Sequence, residues 1–256
     1  MTFSTILVEN QGPLTLITID RPEARNALTA AGHEELAAAF DVFAADARRQ
    51  VAIITGTGDK AFCAGHDLKE PHPAPPLPPS GFGGLTGRFD LNKPVIAAVN
   101  GACLAGGFEI ALACDLIVAA ETATFGLPEP RVGLAALSGG LQRLTREIGL
   151  KRTMRIALTG TMVTAREGYE LGFVNQVVAT DVLDTARALA AEILKCGPLA
   201  IQATKEATMR SLDLPLRDAL KEQWNFAAVT AMWNSRDAVE GPAAFAERRA
   251  PRWTGR

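Results

Sequence analysis

The sequence predicts an α/β fold with a helical C-terminal region. Two observations carry this. Short apolar runs at 51–56, 94–99, 115–119 and 174–178 suit buried strands, and they alternate with segments whose apolar residues recur at helical spacing. From Val182 onward the pattern is helical to the end of the chain. Buried strands separated by helices imply βαβ units with right-handed crossovers.

The elements follow in order. Ile6-Leu7-Val8 and Leu14-Thr15-Leu16-Ile17-Thr18-Ile19 flank Gln11-Gly12-Pro13, which predicts a hairpin over 5–20. Leu36, Phe40 and Phe43 lie at helical spacing in 29–47, with Thr29 as N-cap. After the strands at 51–56 and 94–99, Gly106 opens a helix over 106–113. Helical patterns follow at 141–148, 152–158 and 165–171. The tail aromatics Trp224, Phe226, Trp233, Phe245 and Trp253 offer large apolar area, and core packing is expected for each taken singly. Six prolines fall within the eleven residues 71–81, which cannot be helix interior and read as a loop over a substrate site.

Composition narrows the function. A net charge of −2 gives no electrostatic reason to expect nucleic acid. Arg248, Arg249, Arg252 and Arg256 make a basic C-terminus, read as a solvated helix end. Cys63, Cys103, Cys114 and Cys196 have no CxxC spacing and read as small packed thiols in a reducing compartment, Cys63 included despite its place beside a probable active loop. No charged leader precedes an apolar core at the N-terminus, and the most apolar stretch, 95–120, is broken by Asn100, Glu109 and Asp115. A soluble, cytoplasmic protein is expected, with neither membrane nor nucleic acid as partner.

Glu109 is the residue that needs explaining. It lies among the most apolar residues of the chain, where an unpaired carboxylate loses hydration worth several kcal/mol. Glu129 follows twenty residues later in a second apolar stretch. Converging on one cleft, the two would form an acid/base pair. Three glycine-rich turns accompany them: Ala64-Gly65-His66-Asp67, Ala105-Gly106-Gly107 and Ser138-Gly139-Gly140. Free backbone N–H groups at such turns can grip a carbonyl oxygen. None of the turns is a dinucleotide or Walker A motif, Ser138 is in no nucleophile elbow, and no cluster has metal-ligand spacing. His33 and His72 fall in the 30–47 helix and the proline loop, where solvent exposure is the default.

Four co-linear motifs carry a family resemblance: Phe62-Cys63-Ala64-Gly65-His66-Asp67-Leu68, Lys93-Pro94-Val95-Ile96-Ala97-Ala98-Val99-Asn100-Gly101, Ala105-Gly106-Gly107-Phe108-Glu109 and Phe125-Gly126-Leu127-Pro128-Glu129. Together with the tail from Asp237 to Trp253 they resemble the crotonase (enoyl-CoA hydratase/isomerase) superfamily across nearly the whole chain. The resemblance implies a crotonase-like ββα superhelix over 1–195 and a helical oligomerisation region over 196–256, assembled as a homotrimer or homohexamer. It implies a coenzyme A thioester as substrate, with no permanently bound cofactor or metal. The thioester carbonyl would be held by the backbone N–H groups of His66 and Gly106, and Ala64, Asp67, Leu68 and Lys69 would contact the coenzyme A portion. Glu109 would deprotonate the water that attacks C3, and Glu129 would protonate C2.

The implied activity is enoyl-CoA hydration. The rivals are carnitinyl-CoA dehydration, double-bond isomerisation and non-catalytic acyl-CoA binding. Three departures bear on the acyl group. The 133–140 segment lacks a Pro-Gly found in many straight-chain hydratases, Ala105 replaces the first glycine of a common triple run, and Pro130 stiffens the turn after Glu129. The 81–94 segment resembles the carnitinyl-CoA dehydratase branch more than the fatty-acid branch.

Overall fold

The computed structural model describes residues 3–70 and 75–256. In chain order these form β1 (Ile6–Gln11), β2 (Leu14–Ile19), α1 (Ala30–Ala45), β3 (Val51–Gly56), β4 (Ala61–Cys63), β5 (Val95–Val99), β6 (Ala102–Leu104), α2 (Gly106–Ala113), β7 (Leu116–Ala120) and β8 (Thr124–Gly126). Next come α3 (Gly140–Ile148), α4 (Leu150–Thr159), β9 (Val163–Thr164), α5 (Ala165–Leu171), β10 (Gln176–Val178) and α6 (Val182–Leu194). The C-terminal region holds α7 (Pro198–Ser211), α8 (Leu216–Glu222), α9 (Ala227–Trp233) and α10 (Asp237–Ala246).

The expected strands build a six-stranded sheet in the order β1-β2-β3-β5-β7-β10, antiparallel at the β1–β2 hairpin and parallel thereafter. Both faces are buried, which explains the unbroken apolar runs. Ile53, Ile96 and Val118 point to the layer covered by α6, whereas Ile54, Ala97 and Ala119 face the main core with Phe40, Phe62 and Phe108. Alternate side chains of one strand thus fill two different cores.

A second sheet, in the order β4-β6-β8-β9, was not legible as strands. Its first three members run parallel, and each is only three residues long. Asparagine amides brace it to the first sheet. Asn100 Nδ2 donates to the carbonyls of Gly56 at 2.8 Å, Gly58 at 2.7 Å and Ala61 at 3.2 Å. Asn26, left-handed at φ 57°, donates to Ala61 O at 2.7 Å and Thr57 O at 3.1 Å. These fixed bonds hold the short strands in register where alternation alone could not.

The C-terminal region corrects three expectations. The chain is not helical to its end, because Arg256 O accepts from Arg236 N–H at 2.8 Å and Asp237 accepts from Thr254 and Gly255 N–H, folding the tail back. Arg249 is not simply solvated; it pairs with Glu240 and Glu247. Phe226 is buried between α7 and α9, but Trp224, Trp233 and Phe245 are 57%, 65% and 88% exposed, so they are not core of the single chain. Trp224 and Trp233 meet each other edge-on, with ring centroids 5.6 Å apart.

Candidate active site

Each parallel strand of the small sheet delivers one part of the site from its C-terminal end, the edge where α/β sheets place ligands. β4 leads into Ala64-Gly65-His66, β6 into Ala105-Gly106, and β8 through Leu127-Pro128 to Glu129.

The first two turns touch. Gly65 has φ +95°, and a Cβ there would lie 2.8 Å from the Ala105 Cβ and 3.2 Å from Gly106 N. Glycine is required for both reasons. A bridge between Leu28 and His66 fixes the first turn: Leu28 N–H donates to Gly65 O and Asp67 N–H to Leu28 O, both at 2.8 Å. That pattern leaves His66 N–H outside the ladder. Gly106 N–H belongs to the first residue of α2, where no intrahelical acceptor exists. Among the described residues neither N–H has a backbone acceptor outside regular elements. Ala105 holds φ 52°, ψ −129°, a conformation that costs a non-glycine residue ~1–3 kcal/mol. Gly107 packs on Cys63 O and Gly106 on the Phe82 ring, so a side chain at either would push α2 away.

Glu109 sits in the first turn of α2, 3% exposed. Its Oε1 accepts from Gly140 N–H, the first residue of α3, at 2.9 Å. Burial raises its pKa, opposed by the Gly140 N–H, by Ser138 and by the nearby Arg143 charge. Arg143 is held by a 2.8 Å bond to Thr86 O. The third glycine turn therefore positions the carboxylate. Glu129 is also buried, and among the described residues its Oε2 has no hydrogen-bond partner. Its pKa is raised by burial, opposed by its own backbone N–H, and pushed further up by the Glu109 charge. The Glu109 charge thus reaches Glu129, so the two carboxyl groups titrate as neighbours. Phe108, beside Glu109, and Phe125 of β8 pack with Phe173 at centroid distances of 5.2–5.3 Å, locking the two backbones that carry the glutamates.

The remaining expected contact residues cluster at the β4 turn. Asp67 spends both oxygens locally, on Arg21 at 3.0 Å and on Lys69 N–H at 3.1 Å. Leu68 and Lys69 are exposed, and Ala64 is partly so, with its N–H on Arg25 O at 3.2 Å. Arg21, which no motif singles out, anchors this turn through Asp67.

His33 is not solvent-exposed as expected: it is 2% exposed and accepts from Gly83 N–H at 3.1 Å. It shares a helix face with Leu36, Ala37 and Phe40, and that spacing was the available signal. His72 and the start of the proline loop lie outside the described residues; Pro75 and Pro76 border a cavity next to His33 and His66. The Cys63 thiol is pushed up to about 12 by burial and is a packing group. Among the described residues no three His, Cys, Asp or Glu side chains gather as a metal site, and no helix is long and apolar enough to cross a membrane.

The family description "Enoyl-CoA hydratase/isomerase" matches residues 9–256. The chain is 43% identical to the carnitinyl-CoA dehydratase of Salmonella arizonae over 258 residues, covering 98% of each protein. Its backbone superposes on the crystal structure of enoyl-CoA hydratase from Mycobacterium tuberculosis with a TM-score of 0.93 at 44% identity, covering 98% of this chain and 99% of that one. An enoyl-CoA hydratase from Bacillus anthracis gives 0.90 at 33% identity, covering 99% and 100%. The chain, with its crotonase fold and its four motifs in order, belongs to the enoyl-CoA hydratase/isomerase family, the crotonase superfamily.

Proposed function

We propose that the protein is a hydro-lyase that adds water reversibly across the double bond of a 2-enoyl-CoA thioester. One observation carries the reading: two buried carboxyl groups that sense each other stand beside two turns whose N–H groups are free to bind an oxygen. The N–H groups of His66 and Gly106 would hold the thioester oxygen and stabilise the enolate, each by ~3–4 kcal/mol.

The environments support an assignment of the two roles. Glu109 is supported as an anion by the Gly140 N–H, Ser138 and Arg143, so it is the base that takes a proton as water oxygen bonds to C3. Burial pushes Glu129 toward its neutral form, the Glu109 charge adds to this and only its own backbone N–H opposes it, so we read Glu129 as the acid that gives a proton to C2. The proton gained by Glu109 and the one lost by Glu129 balance, and the pair resets by exchanging one proton. Dehydration runs the same steps backwards.

Exposed Leu68 and Lys69, with Ala64 and the Asp67 turn, would meet the coenzyme A portion, and no further cofactor is required. The exposed Trp224, Trp233 and Phe245 support a homotrimer or homohexamer. Four unpaired thiols are in keeping with a reducing, cytoplasmic setting.

A second reading, carnitinyl-CoA dehydration, is favoured by the names of the similar curated relatives and uses the same two glutamates. Loss of the conjugated enoyl-thioester absorbance with crotonyl-CoA, longer enoyl-CoAs and crotonobetainyl-CoA separates the two. Turnover of crotonobetainyl-CoA alone selects the second reading, and no turnover of any would overturn both. Glu109→Gln and Glu129→Gln should each lose most turnover.

A further inference from the structure

The ring of His66 has no part in the chemistry above, yet its protonation is set by a chain of contacts. Gly83 N–H donates to His33 Nδ1 at 3.1 Å. A ring nitrogen that accepts carries no proton, so neutral His33 holds its proton on Nε2. That Nε2 lies 3.4 Å from His66 Nδ1, with the two rings within 9° of parallel. His66 Nδ1 is then the acceptor, and the His66 proton is on Nε2. Burial first, and the neighbouring His66 second, depress His33 to about 4, so His33 stays neutral at neutral pH.

The chain ends on an orphan. His66 Nε2 is buried and has no hydrogen-bond partner among the described residues, the same condition as Glu129 Oε2. An unmet buried donor costs ~1–3 kcal/mol and calls for a reason. The pair is also built against the thioester site. Phe82 meets His33 edge-on at 4.4 Å, and the same Phe82 ring packs on Gly106. Pro75 and Pro76 wall a cavity of about 370 Å³ over the two imidazoles.

We propose that His66 determines specificity: its Nε2–H donates to an oxygen acceptor carried by the acyl group, so the site selects acyl groups bearing such an oxygen over plain alkyl chains. His33 is the positioning residue that fixes the donor tautomer. The proposal rests on the thioester reading, because the same residue's backbone N–H locates the acyl group. A donor on that ring reaches an acceptor within roughly 8 Å of the held carbonyl oxygen, about the length of a short acyl chain. An amide carbonyl of the pantetheine arm offers the same chemistry from the other side.

The test compares crotonyl-CoA, 4-hydroxycrotonyl-CoA and free coenzyme A on wild type, His66→Phe, His66→Gln and His33→Leu. The readout is the ratio of kcat/KM for the hydroxylated over the plain substrate. The ratio is expected to fall about tenfold in His66→Phe and to recover largely in His66→Gln, whose amide places a donor near Nε2. His33→Leu should lower it too, with no further loss when combined with His66→Phe. An unchanged ratio overturns the proposal. An equal loss on both substrates, with weaker binding of free coenzyme A, also overturns it by assigning the donor to the pantetheine arm. A wild type that turns over neither thioester and does not bind coenzyme A overturns the thioester reading, and this proposal with it.

Discussion

Gly140→Ala isolates the positioning of Glu109 from its chemistry. The new Cβ would lie 2.9 Å from Glu109 Cγ and 3.1 Å from Oε1. Carbon atoms in contact prefer ~3.5–4.0 Å, so the carboxylate must yield by roughly 0.6–1 Å. The 2.9 Å bond from Gly140 N–H cannot survive that shift unchanged. A displacement near 1 Å costs on the order of 100-fold when reacting atoms must be aligned. Gly140 starts α3 without left-handed φ, so alanine itself gains ~0.5–1 kcal/mol of backbone entropy there. Overlap in a packed site costs ~1–3 kcal/mol in the other direction.

The variant should therefore stay folded, losing about 2 kcal/mol at most. Its kcat should drop by roughly 10- to 100-fold. KM should move little, because the oxygen-binding turns are elsewhere. Steady-state kinetics with the best enoyl-CoA substrate, beside a thermal melt, measures both. Gly133→Ala is the control: at φ +78° with nothing within 4 Å, it should cost ~1–2 kcal/mol of stability and leave kcat alone. A Gly140→Ala enzyme with wild-type kcat would refute the argument that Gly140 sets the Glu109 position.

Three other expectations follow from the same structure. Glu129 is held above its ordinary 4.5 in the fold, so folding takes up a proton in that window and stability falls as pH rises through it. Glu129→Gln should melt higher than wild type near neutral pH, with the difference shrinking below pH 4.5; a lower melting temperature at neutral pH would contradict the assignment. Of the four thiols only Cys196 is exposed, and burial pushes Cys63, Cys103 and Cys114 up, so a native-state alkylating agent should label one site and denaturant should release three more. Phe245→Asp places a charge on an 88% exposed apolar side chain, so it should shift sedimentation toward monomer while a monomer's melting curve would barely move; wild type sedimenting as a monomer rules out the proposed assembly.

What the sequence revealed depended on how far each signal extends along the chain. The six-stranded sheet was readable because Val51–Gly56 and Val95–Val99 are long enough to show two buried faces. The four-stranded sheet was not, because three residues such as Ala61–Cys63 carry no period. Glu109, Glu129 and the glycine turns were legible because a buried carboxylate and a side-chain-free turn are chemical anomalies within a short window. Asn26, Asn100 and Arg21 were not, because their partners are backbone carbonyls and a carboxylate that come near only after folding. His33 was misjudged by residue type although its spacing to Leu36 and Phe40 put it on the buried face. Among the tail aromatics Phe226 is buried as its apolar area predicts, whereas Trp224, Trp233 and Phe245 are not, because apolar area favours burial but does not say whether the single chain has anything to cover it.

The site collects features that a stable fold would avoid. Ala105 holds a left-handed angle, Glu129 Oε2 is buried without a partner among the described residues, and Gly65, Gly106, Gly107 and Gly140 stand where any Cβ would collide. Each costs on the order of 1–3 kcal/mol, a large share of a typical folding free energy. They persist because the surroundings leave them no alternative. The Asn100 and Asn26 amides, the Arg21–Asp67 pair and the Phe108–Phe125–Phe173 cluster each tie a strand of the small sheet to something rigid. That division also bears on the proposed roles of the two glutamates. The Gly140 N–H and the Arg143 charge oppose the upward shift of Glu109, whereas only its own backbone N–H opposes that of Glu129 and the Glu109 charge adds to it. Burial therefore acts on the two carboxyl groups in different surroundings, the setting an acid/base pair built from two residues of one type needs.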